Sequence, residues 1–99
     1  MVQATTPTFI MTLPDTVDLF QADHVVWTLE QGKVKISKFD EDLTFDAHTV
    51  TVSLTQEETL ILTRGNAQIQ LNWTYADGSR ACSNIENVPV DPNLYKAVI

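Results

Sequence analysis

Between Thr49 and Leu54 apolar and polar residues alternate without a break, with Val50, Val52 and Leu54 on one side and Thr49, Thr51 and Ser53 on the other. β-Branched side chains fit a pleated surface, and a period of two puts every second one on the same face. The same period runs through His24 to Glu30, where Val25, Trp27 and Leu29 share a face. It returns from Ala67 to Tyr75, where Ile69, Leu71, Trp73 and Tyr75 share one. The sequence supplies no long helices to cover these apolar faces, so the strands must bury them against one another.

The rest of the chain fits between these runs. Pro7 opens a strand from Thr8 to Leu13 that carries Phe9, Ile10 and Met11, and Pro14-Asp15 ends it. Val17, Leu19 and Phe20 are expected to tuck under the connection that follows. Gln31-Gly32 reads as a tight hairpin link to Val34 and Ile36. Asp40-Glu41-Asp42 is an acidic turn before a short strand with Leu43 and Phe45. Thr55-Gln56-Glu57-Glu58 is a capping-box pattern, predicting one helical turn through Leu60, with Gly65 closing it.

Arg80 to Val90 returns as a strand whose inner face begins as Ala81, Ser83 and Ile85 but resumes as Val88 and Val90. That slip of phase predicts a β-bulge, placed at Asn87, and Pro89 puts the segment at a sheet edge. The fold expected is all-β: an immunoglobulin-like antiparallel β-sandwich of about seven strands with one short helical turn. Residues 1–7 are expected to be a flexible arm, 8–92 the sandwich, and 93–99 a short amphipathic tail.

Charge narrows the function. Thirteen acidic residues against six basic ones give a net charge of -7. Nucleic acids and anionic membranes both require clustered Lys and Arg, so neither is expected as a partner. No apolar stretch is long enough to span a membrane. Met1 to Phe9 lacks the basic segment and apolar run of a signal peptide. With the single cysteine Cys82, this points to synthesis in a reducing cytoplasm. The sequon Asn72-Trp73-Thr74 is then a chance match.

Chemistry-bearing residues are few. Asp40, Glu41, Asp42 and Asp46 could offer oxygen ligands to a cation, but the glycine and glutamate of a calcium-binding loop are missing, and a solvated turn is the simpler account. Cys82 with His24 or His48 has no spacing that unites a nucleophile and base, and Cys82 is expected to be a small buried hydrophobe. His48 beside Asp46 lacks a third metal ligand. Trp27, Trp73, Tyr75 and Phe45 could form a sugar-stacking platform, but their period with the aliphatic residues assigns them to the core. No catalytic residue, metal or cofactor is expected. The uncharged outer faces Gln68, Gln70, Asn72, Thr74 and Thr49, Thr51, Ser53 would suit lateral protein contact or simply be wet.

Taken together, Leu29-Glu30-Gln31-Gly32, Val52-Ser53-Leu54-Thr55-Gln56-Glu57-Glu58-Thr59, Ile69-Gln70-Leu71-Asn72-Trp73, Asp77-Gly78 and the strand ending at Val90 before Leu94 carry a resemblance. The chain resembles small prophage-encoded structural proteins of Gram-positive bacteria and is similar to the N-terminal domain of phage baseplate upper proteins, over about residues 7–94. The resemblance implies a non-enzymatic structural or assembly protein that meets other virion proteins or copies of itself, in the cytoplasm during assembly and then in the virion. A homo-oligomer is among the expected forms. A carbohydrate- or cell-surface-binding module is the alternative. The expected interface is Phe9, Ile10 and Met11 of the uncharged first strand together with Leu94, Tyr95, Val98 and Ile99 of the tail, where Leu94 and Val98 have one-turn helical spacing.

Overall fold

The computed structural model describes all residues from Met1 to Ile99. Eight strands form two antiparallel sheets. In chain order they are β1 (Thr8–Thr12), β2 (His24–Gln31), β3 (Val34–Phe39), β4 (Thr44–Phe45), β5 (Thr49–Ser53), β6 (Gly65–Thr74), β7 (Arg80–Cys82) and β8 (Glu86–Val90). One helix, α1 (Gln56–Leu60), links β5 to β6. The smaller sheet has the order β1-β5-β4; the larger is β3-β2-β6 with β7 and β8 both on the far side of β6. This connectivity is that of an immunoglobulin-type sandwich, with β1, β5, β4 at strands B, E, D and β3, β2, β6, β7–β8 at C′, C, F, G. The place beside β1 that strand A holds in the constant-type arrangement is open.

The alternating runs supply the core. Val25, Trp27 and Leu29 of β2 meet Val50, Val52 and Leu54 across the sandwich, with Ala67, Ile69, Leu71 and Trp73 of β6 beside them, all buried. Trp27 is 0% exposed and stacks at a tilt on Phe9, ring centroids 5.6 Å apart. Its Nε1–H has no hydrogen-bond acceptor. The Trp73 indole N–H donates to the Tyr75 hydroxyl at 3.0 Å, the usual resolution for a buried indole.

Several sequence expectations shift. The hairpin loop is Gly32-Lys33, because Gln31 already pairs with Val34, and Gly32 takes the positive φ of 58° that the turn requires. Gly65 does not close the helix. The helix stops at Ile61, and Gly65 opens β6 opposite Val90. The returning strand does slip by one residue, but between Cys82, opposite Asn72, and Glu86, opposite Ile69, rather than at Asn87. At the break Ser83 stays in contact with β6: its amide donates to the Leu71 carbonyl and its hydroxyl accepts from the Leu71 amide. Ile85, expected inside, is exposed, as is Phe20.

The first six residues, expected to be loose, are docked. Val2 pairs in parallel with Asp91, and the Met1 ammonium donates to the Pro89 carbonyl at 2.8 Å. Gln3 is buried, and its side-chain amide donates to the carbonyls of Leu60 and Leu62 where α1 ends. Unpaired carbonyls at a helix end need such a donor.

The capping box forms in full. The Thr55 hydroxyl accepts from the Glu58 amide at 3.2 Å, and the Glu58 carboxylate accepts from the Thr55 amide at 2.9 Å. Lys38 of β3 also reaches that carboxylate, at 2.8 Å. Burial alone would raise the Glu58 carboxyl, but the hydrogen bonds from Lys38 and Thr55 and the Lys38 charge hold it below its ordinary value. Thr55→Ala is expected to cost about 0.5–2 kcal/mol. Chemical denaturation measures it, and an unchanged midpoint would count against the cap.

Candidate functional site

The residues expected at an interface divide along the pleat of β1. Met11 is not at the surface but in the core at 3% exposure, and Phe9 is half-buried against Trp27. Both lie on the inner face, so their place at the interface is corrected. Ile10, on the opposite face, is 68% exposed. In the tail Leu94, Tyr95, Val98 and Ile99 are all exposed. No helix forms there: the segment after Asn93 is bends and coil, so the one-turn spacing of Leu94 and Val98 does not become a helical face. Six or seven residues are too few to offset the cost of nucleating a helix without packing.

The tail is anchored at its end. The Gln56 side chain accepts from the Ile99 amide at 2.9 Å and donates to the Ile99 carbonyl at 3.0 Å. Ile99 thereby lines a shallow depression with Ala4, Thr5, Thr6 and Gln56. Thr6 lies two residues before β1, and Gln56 follows the end of β5 that pairs with Thr8. Ile99 and the start of β1 thus share one end of the smaller sheet, a proximity that linear spacing does not reveal.

The largest cleft, about 360 Å³, lies on the open side of the sandwich between β1 and β7. Met11, Leu13, Val17, Trp73, Ala81 and Cys82 are among its lining residues, and no histidine is. Cys82 is exposed, not buried as expected. The alternation around it carried that signal: Ala81 points inward, so its neighbour points out. Cys82 is therefore expected to react readily with a thiol reagent in the native protein, and Cys82→Ala to leave the melting temperature unchanged. Labelling only after unfolding would contradict the exposed position.

The other chemistry-bearing groups have structural partners. The His24 ring Nδ1–H donates to the Asp40 carboxylate at 3.1 Å, and Asp40 also accepts from the Val25 amide at 2.8 Å, tying the start of β2 to the acidic turn. The hydrogen bond to Asp40, then the charges of Asp23 and Asp40, raise the His24 imidazole above its ordinary value. The Val25 amide and His24 in turn lower Asp40. The Asp46 carboxylate accepts from the His48 and Thr49 amides, and the His48 ring bonds the Val17 carbonyl at 2.6 Å. No group of three or more His, Cys, Asp or Glu side chains is placed to hold a metal ion. No helix is long and apolar enough to cross a membrane. Searches for similar proteins give no match to a protein-family model, a curated protein or a solved structure.

Proposed function

We propose that this sandwich is a non-enzymatic structural or assembly protein of a phage or prophage, acting through contacts with other virion proteins or with copies of itself. The observation that carries the proposal is where apolar surface remains: Ile10 on β1 and Leu94, Tyr95, Val98 and Ile99 on the tail stay in water. Exposed apolar side chains gathered in this way suit contact with another protein surface. The resemblance to small prophage-encoded proteins supplies the setting. The net charge of -7 favours neither nucleic acid nor an anionic membrane as that neighbour. A carbohydrate-binding module would be favoured by Trp27 or Trp73 at the surface, and both lie inside the sandwich.

The test is made in a lysogen expressing the tagged full chain. After induction, particles and assembly intermediates are separated on a density gradient and their proteins quantified. The chain is expected at a fixed ratio to the major virion proteins in one of these fractions. Its absence from both would contradict the proposal.

A further inference from the structure

We propose that the free edge of β1 pairs with β1 of a second copy of this chain, in antiparallel register about a two-fold axis at Ile10. The inference deepens the reading above, on which it rests, by naming one partner and one contact. β1 has a neighbour on one side only, β5. The Leu13 amide donates to the His48 carbonyl and the Leu54 amide to the Pro7 carbonyl. In an antiparallel ladder that parity turns odd-numbered residues toward β5, and Thr8, Ile10 and Thr12 aim their N–H and C=O groups away from it. The Thr8 and Ser53 hydroxyls, 2.9 Å apart, agree with this, since side chains lie closest at pairs that do not share backbone bonds.

The other edges are protected in the ways natural sheets use. β3 carries Lys35 and Lys38, β4 is two residues long, and the β7–β8 edge carries Arg80 and Pro89 with Met1 to Gln3 laid along its end. β1 has no charge, proline or bulge, and the first charged side chain in the sequence is Asp15. Only an extended chain offers donors and acceptors at strand spacing, and a second β1 satisfies this edge without leftover groups. Ile10 meets Ile10 and Thr8 meets Thr12 of the other copy, each outward N–H opposite an outward C=O. Charge selects the same partner. Two chains of net charge -7 repel wherever their acidic groups face each other, and here two uncharged strips meet.

The test is light scattering over a wide concentration range, with amide hydrogen exchange, on the full chain, on Ile10→Lys and Thr12→Lys, and on a chain ending at Asn93. All three changes lie at exposed positions, and circular dichroism checks that each variant folds. The wild type is expected to reach twice the mass of one chain, with the Thr8, Ile10 and Thr12 amides becoming protected as it does. Either lysine variant is expected to stay at the mass of one chain, and the shortened chain to dimerise still. A wild-type monomer at every concentration, dimers in both lysine variants, or dimerisation abolished only by removing the tail would each overturn the edge pairing. A monomer that still joins particles would overturn the dimer and leave the virion reading standing; a dimer found in no particle fraction would do the reverse.

Discussion

Trp73→Ala is expected to lower the unfolding free energy by about 3–5 kcal/mol, the range for removing a buried tryptophan. Trp73 is only 4% exposed, near the C-terminal end of β6 on the face turned to the core. It also donates to Tyr75, so truncation leaves that hydroxyl without its partner as well as opening a cavity. A domain of this size is stable by about 5–15 kcal/mol, so the loss is a large share of the whole. Each kcal/mol shifts the melting midpoint of a domain of ~100 residues by roughly 4–8 °C, and the variant should melt more than ~12 °C below wild type. Calorimetry measures this directly. A midpoint within a few degrees of wild type would place the indole outside the core.

The second large effect is expected from Gln3→Ala. Gln3 is one of two buried polar residues, and its amide serves the carbonyls of Leu60 and Leu62. Alanine leaves those acceptors at a covered helix end without a donor, a loss of about 1–3 kcal/mol. Gln3 also holds the first residues against the sandwich, because its own amide donates to Asp91 and its carbonyl accepts from Asn93. Amide exchange should therefore speed up at Gln3 and Asp91 more than in β2 or β6. Denaturation with residue-resolved exchange reads both. A variant as stable as wild type would mean that water serves the carbonyls equally well.

These residues mark how far the sequence could be read. β2, β5 and β6 were legible because their alternation decides which side chains are buried, and Val25, Trp27, Leu29, Val50 and Val52 lie where that period puts them. The capping box was legible because Thr55 and Glu58 satisfy each other locally. The docking of Met1 to Thr6 was not, because its bonds go to residues more than fifty positions away and its side chains are mostly small or polar. The register break in the last strand was visible as a slip of phase, but its position depends on how Ser83 engages Leu71, which no periodicity encodes.

At the candidate interface the same logic applies unevenly. The lack of charge in β1 could be read directly, and the pleat separates Ile10 from Phe9 and Met11 once applied to every residue. The four-residue spacing of Leu94 and Val98 does not produce a helical face, because the tail is shorter than a helix needs without packing. Its actual anchor, the pairing of Ile99 with Gln56, is a tertiary contact with no sequence signature.

The central claim is that the exposed apolar residues, and no cleft or titratable group, carry the function. Particle incorporation and thermal stability measured side by side on one chain carrying Ile10→Lys and Ile99→Lys test it most directly. Both side chains lie largely in water, at 68% and 89% exposure, so the melting temperature should stay close to wild type. Incorporation should fall sharply. Full incorporation of that equally stable variant would contradict the account.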